Sequence, residues 1–248
     1  MAEATQTQTR PMTEEGDFLQ LQAVDHLHFY VGNAKHAMYY WWKGLGFKPV
    51  AYSGLETGNR QYASYVLESG KIRIVVSAPY GPSHEMAGHH LTHGDGATDI
   101  ALQVRDVERA NRETPDATRA YGEALHVVVD RSDPKRPFAP PYNALHYAAE
   151  DAGLASVDHI VGNVQLGQME HWVNFYHRVM GFRQLLHFDD KDISTEYSAL
   201  MSKVMENGNG RIKFPINEPA DGKKKSQIEE YLDFYYSPGV QHLALSTG

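Results

Sequence analysis

The chain matches itself, and this internal repeat limits its fold more than any other feature. The string Val24-Asp25-His26-Leu27-His28-Phe29-Tyr30-Val31-Gly32-Asn33 returns as Val157-Asp158-His159-Ile160-Val161-Gly162-Asn163. Both copies have the alternating, β-branched character of a strand that runs into a Gly-Asn turn. An aromatic-rich helical pattern follows each, over 36–42 and over 170–176. These patterns end at Gly46-Phe47 and Gly181-Phe182, where the glycine suits a left-handed helix stop that a side chain would clash with. Alternating runs then predict hairpins, 62–68 with 71–78 about Ser69-Gly70, and 197–204 with 211–215 about Asn207-Gly208. Finally Gly96-Ala97-Thr98-Asp99-Ile100-Ala101-Leu102 matches Gly239-Val240-Gln241-His242-Leu243-Ala244-Leu245. The pattern predicts an α+β fold in which a βαβββ module is repeated twice in each half.

The expected organisation is a disordered tail over 1–20, a first domain over 21–133, a linker over 134–156 and a second domain over 157–248. The tail is polar, and the linker runs from Arg136-Pro137-Phe138-Ala139-Pro140-Pro141 into an Ala/Glu/Asp stretch. The second unit of the first half, from Ala97 to Arg131, is too short for a helix and four strands. The last unit opens at Gly239 and has room for a single strand before Gly248. By this internal standard the chain is expected to be incomplete at its C-terminus and shortened in its first domain. A sheet left open in this way favours association with a second copy, a homo-oligomer.

Composition narrows the chemistry. There is no cysteine, so any metal must be held by histidine, aspartate or glutamate, which favours harder ions than a thiolate site would. The net charge of −8 argues against a nucleic-acid partner, and Lys223-Lys224-Lys225 is too small a basic run to reverse it. That run reads as the solvated start of a helix over Gln227–Tyr235. No apolar segment has a membrane helix's length and no signal peptide opens the chain, so the expected location is cytoplasmic.

Fourteen histidines are many for 248 residues. Taken singly, His159 and His242 would each be an ordinary half-buried strand histidine. Together they occupy the first strand of each unit in one half, from which two side chains can converge inside a cupped sheet. A His-His-carboxylate set with open positions suits non-haem iron(II). The equivalent pair in the first half is His26 and Asp99, with Val127 where a third ligand would fall, so His26 reads as a packing residue. His84, His89, His90 and His93 crowd a Gly-rich stretch without a zinc-like spacing and read as loop polarity. The aromatic stripes of the two helices read as core.

Four blocks in order and spacing give the second half a resemblance to the 4-hydroxyphenylpyruvate dioxygenase family, of the vicinal oxygen chelate (glyoxalase/bleomycin-resistance/dioxygenase) fold. They are residues 157–164, Phe214-Pro215-Ile216-Asn217-Glu218-Pro219, residues 224–232 and residues 239–245. Val50-Ala51-Tyr52-Ser53-Gly54 and Ala63-Ser64-Tyr65-Val66-Leu67 extend the likeness to a more divergent first half. The resemblance implies Fe(II) as cofactor, with His159 and His242 as metal ligands. It implies substrate-lining roles for Ser198, Pro215, Asn217, Gln227 and Gln241. It further implies an aromatic 2-oxo acid and O2 as substrates, homogentisate and CO2 as products, and a place in tyrosine catabolism. The family's third ligand, a glutamate on a late strand, is expected to be absent from these residues, which puts turnover by the 248-residue chain in doubt. The competing readings are a 4-hydroxymandelate synthase and a catalytically impaired ligand-binding fragment of the same fold.

Overall fold

In the computed structural model, residues 18–113, 119–131, 138, 141–188, 199–220 and 225–248 are described. The first half builds strands β1 (Ala23–Tyr30), β2 (Lys48–Ser53), β3 (Tyr62–Ser69), β4 (Ile72–Pro79), β5 (Gly96–Gln103), β6 (Leu125–Val129) and β7 (Asn143–Ala144). Helices α1 (Ala34–Tyr39), α2 (Glu85–His93) and α3 (Val107–Glu113) connect them. The second half has β8 (Leu154–Asn163), α4 (Met169–Met180), β9 (Arg183–Phe188), β10 (Ala199–Glu206), β11 (Lys213–Ala220), α5 (Gln227–Tyr235) and β12 (Gly239–Thr247).

The two sheets run in the orders β6-β5-β1-β4-β3-β2-β7 and β12-β8-β11-β10-β9. The five central strands of the first therefore repeat the order of the second. β1 pairs parallel with β4 as β8 does with β11, and β1 pairs antiparallel with β5 as β8 does with β12. This puts β8 and β12, the strands of the two candidate ligands, side by side.

Sequence features explain the helix ends. Gly46 and Gly181 hold φ of +74° and +68°, the left-handed stops expected before Phe47 and Phe182. Ser226 caps α5, and Glu229 returns the bond to the Ser226 N–H, a reciprocal capping box. α1 widens into a π-turn over Tyr40–Gly44, which shifts the helical phase and leaves Tyr39 and Tyr40 exposed. The first aromatic stripe is thus only partly core, whereas Tyr176 of α4 is fully buried.

Period-two alternation divides each sheet into two faces. Ile160, Phe214 and Ile216 are fully buried in one core with Tyr176 and Met180 of α4, while His159, Val161, Pro215 and Asn217 line a cavity. In the first half Leu27, Ile74 and Ile100 join the same core. The opposite face is partly covered by Phe138 and Tyr142, packed on Ala51, Val66 and Val75.

Three expectations change here. The end of the predicted tail is not free: Leu19 is buried, and the side-chain amides of Asn207 and Asn209 each donate to the carbonyl of the adjoining Leu21 at 2.8 Å. The predicted linker is built in, since it supplies β7 to the edge of β2 and Phe138 and Tyr142 to the first cup. The cluster from His84 to His93 is helical rather than loop. The His84 Nδ1 accepts from the Met86 N–H and Gly94 stops the helix at φ +75°, so local capping makes a helix where apolar periodicity is weak.

His126 of β6 is buried at the seam between the halves, stacked on Phe214 and 2.8 Å from the Tyr176 hydroxyl. Burial pushes its pKa down to about 4. The fold holds the imidazole neutral, so acid favours the unfolded chain, where the ring protonates freely. Its stabilising contribution is full above about pH 6.5 and is lost as the pH falls towards about 4, roughly 3 kcal/mol in all. Urea unfolding at pH 7 and pH 4.5 should show His126→Gln losing less stability on acidification than the parent. Equal losses in both would sink this assignment.

Candidate functional site

His159 and His242 are brought together. On β8 and β12, His159 pairs with Ala244 and His242 with Val161, so the two imidazoles lie diagonally on one face. Their ring centroids are 5.8 Å apart and their planes meet at 74°. Both line a cavity of about 430 Å3 with Val161, Leu185, Leu200, Val204, Pro215 and Asn217. The setting is mostly apolar with a few convergent polar groups, the usual character of a small-molecule site.

The residue before each histidine sets its tautomer. The His159 Nδ1–H donates to the Asp158 carboxylate at 2.7 Å, and the His242 Nδ1–H donates to the Gln241 side-chain carbonyl at 2.8 Å. Each Nε2 is left as the lone-pair donor, the outer hydrogen bonding that orients metal-binding imidazoles. Burial and the neighbouring His159 lower the pKa of His242, which keeps it in the neutral, ligating form. The bond from His159 holds the Asp158 carboxyl below its usual range despite partial burial, and Lys213 at 3.2 Å adds to this.

The donor set fits a divalent transition metal as two imidazoles, and among the described residues no carboxylate joins them as a third ligand. Glu218, beside Asn217 on β11, is turned away: its carboxylate accepts from the Met169 N–H at 3.0 Å and caps α4. Ser198 lies outside the described residues. Of the other expected pocket residues, Pro215 and Asn217 line the cavity. Gln227 stands exposed at the first turn of α5, and Gln241 is occupied with His242.

The holding roles of Asp158 and Gln241 were not read from the sequence. Alternation along a strand places neighbours on opposite faces, but both side chains reach round to the adjacent ring. The Asp-His dipeptide was a usable signal, because Asp25-His26 repeats it with the same 2.7 Å contact.

The first cup arranges the equivalent residues differently. Phe138 packs edge-on against His26, with ring centroids 5.0 Å apart. Asp99, the counterpart of His242, faces His28 instead, and the His28 Nδ1–H donates to it at 2.9 Å. His28 Nε2 is 2.7 Å from Ser77 Oγ, and the chain of contacts continues through Ser64 to Tyr142. Val127 is exposed on β6 and pairs with Ala101. Side chains and hydrogen bonds occupy the positions that correspond to the histidine pair, and a cleft of about 970 Å3 lined by Asp25, Val66, Phe138 and Tyr142 opens beside them.

Residues 156–248 match the model of the Glyoxalase/Bleomycin resistance protein/Dioxygenase superfamily. Among solved structures, a mutant of 4-hydroxymandelate synthase from Streptomyces coelicolor has a TM-score of 0.80. It is 24% identical over 91% of this chain and 71% of that one, a likeness of fold. The 4-hydroxyphenylpyruvate dioxygenase of Coccidioides posadasii (strain C735) is 38% identical, with 100% of this chain and 72% of the relative covered. That of Dictyostelium discoideum is 39% identical, with 92% and 70% covered. With identity of this level along both halves, and with a repeated fold that pairs His159 with His242, the chain belongs to the 4-hydroxyphenylpyruvate dioxygenase family.

Proposed function

We propose that the second half holds iron(II) through His159 and His242 and takes 4-hydroxyphenylpyruvate and O2 to homogentisate and CO2. The observation that carries this reading is the histidine pair on the wall of an apolar cavity, each Nδ1 tied so that Nε2 is the free donor. Iron(II), when bound, supplies the activation of dioxygen and the oxidative decarboxylation of a 2-oxo acid.

The chain's own residues do the rest. Asp158 and Gln241 accept from the two Nδ1–H groups, which fixes the rings in direction with Nε2 as the ligating atom. Val161, Leu185, Leu200 and Val204 give the aromatic ring an apolar bed and exclude water from the reacting atoms. Lys213, held by Asp158, lines the same cavity and brings a positive charge suited to the substrate carboxylate. The Asn217 amide can hydrogen-bond a neutral phenol or keto oxygen without adding charge. Family resemblance assigns Ser198, Gln227 and Gln241 to the same substrate.

Ligand counting sets the expected strength of the metal site. Two neutral donors with no carboxylate among the described residues should hold iron(II) at least about 100-fold more weakly than a complete three-ligand set. Anaerobic calorimetric titration of the 248-residue chain with iron(II), paired with oxygen uptake and product analysis on 4-hydroxyphenylpyruvate, tests this. Weak binding with little turnover is expected from this polypeptide. Tight one-to-one binding with rapid homogentisate release would overturn the two-ligand reading and require a third ligand beyond His159 and His242. Release of 4-hydroxymandelate would overturn the assigned product.

A further inference from the structure

Away from the candidate iron pair, a second set of metal-type donors meets where the two halves touch. His89 and His93 are four residues apart on α2, a spacing that puts both imidazoles on one helix face. Both are buried, at 4% and 6% exposure, whereas the Glu123 side chain is 53% exposed. Glu123 sits in the tight turn between the buried Tyr121 and Ala124, and its carboxylate reaches both rings. One oxygen is 2.7 Å from His89 Nδ1 and the other is 3.6 Å from His93 Nε2. One donor atom from each of the three residues lies within 4.8 Å of the other two.

We propose that His89, His93 and Glu123 form a binding site for a zinc-class divalent cation, with water in the fourth position.

The protonation pattern argues for a cation. The His93 Nδ1–H donates to the backbone carbonyl of Tyr235 in α5, so in the neutral ring Nε2 is a lone pair. That lone pair faces a carboxylate oxygen at 3.6 Å, two acceptors turned towards each other, and a cation between them removes the conflict. The carbonyl is also the outer partner that commonly orients a metal-binding imidazole. His89 Nδ1 meets the other Glu123 oxygen at 2.7 Å, a hydrogen bond that the ion would replace as the ring proton moves to Nε2.

The geometry is close to what the ion needs. Bonds of about 2.0–2.1 Å in a tetrahedron place donors roughly 3.3 Å apart, between the two separations found. Two nitrogens and one oxygen are a zinc-type set, and the exposed side of Glu123 leaves room for water. The ion would join α2 and the 121–124 turn beside the end of α5. A side chain on Gly122 would meet the carbonyl of Pro238 at 2.1 Å, so the turn lies directly against the segment that enters β12. The site is therefore a clamp on the seam rather than a second reaction centre.

The test uses the 248-residue chain carrying His159→Ala and His242→Ala, so that its outcome does not depend on the iron reading. After removal of metals it is titrated with Zn2+ and with Co2+ as a spectroscopic probe. One equivalent of Zn2+, a four-coordinate Co2+ visible spectrum and a higher Tm with metal are expected. Glu123→Gln and His93→Ala should each weaken binding by more than about 100-fold, beyond the cost of losing an outer partner. Because Glu123 is half exposed, Glu123→Gln should keep the metal-free Tm of its parent, which preserves the test if His93→Ala does not fold. No bound equivalent in the parent, or stoichiometric binding that persists in Glu123→Gln, would overturn the site and leave these contacts as hydrogen bonds alone.

Discussion

Replacing His242 with alanine is expected to weaken the already weak iron(II) binding at the cavity by more than about 100-fold and to remove the little iron-dependent oxygen uptake expected of the parent chain. His242 supplies one of the two imidazoles that meet on the cavity wall, and a methyl group offers no donor. His159→Ala should do the same. Asp158→Asn is the informative contrast. It keeps the shape of the side chain but weakens the acceptor at His159 Nδ1, so the expected loss is that of an outer partner, about 10–100-fold. Anaerobic iron titrations of the three variants should therefore rank Asp158→Asn well above the two histidine variants. An Asp158→Asn protein as impaired as His242→Ala would make Asp158 itself a ligand. Unchanged affinity in His242→Ala would end the assignment of the pair.

Asp25→Ala is expected to cost the fold about 3 kcal/mol, the lower end of the range for removing one member of a buried ion pair. The Asp25 side chain is only 3% exposed and is the hub of the first cup. The Arg131 Nε and Nη2 groups donate to it at 2.8 and 2.9 Å, Arg73 at 3.2 Å and His26 Nδ1–H at 2.7 Å. The two arginines are partly exposed and can rehydrate, which keeps the cost from the upper end. Burial alone would raise the Asp25 pKa, but the bonds from Arg131 and His26 outweigh it and hold the carboxyl well below the usual range. The sign follows. This stabilisation is complete above the unfolded carboxyl pKa of about 3.9 and is lost as the pH falls below it. Urea unfolding at pH 7 and pH 3 should therefore show a large gap between variant and parent that narrows in acid. A gap under about 1 kcal/mol at pH 7, the worth of an exposed pair, would show that the cluster is only a surface feature.

Much of the architecture was legible in the sequence, because repetition and period-two alternation are local properties of the chain. The Val-Asp-His strands, the Gly-Phe helix stops, both hairpins and the span of α5 follow from residues close together in sequence. The His159–His242 pairing was legible for the same reason, since a repeated unit places its first strands side by side. Tertiary structure alone decided the rest, through contacts between residues far apart. It laid Phe138 and Tyr142, from a segment whose composition reads as a linker, over Ala51, Val66 and Val75, because apolar side chains on a sheet face need cover. It turned Glu218 away from the cavity to cap α4, and it set Gln241 against His242. It also made His89 and His93 meaningful, since Glu123 and the Tyr235 carbonyl reach them only through packing. Sequence fixes which side chains share a face of one strand or helix. Which groups come from other elements to meet that face is determined by packing of the whole chain.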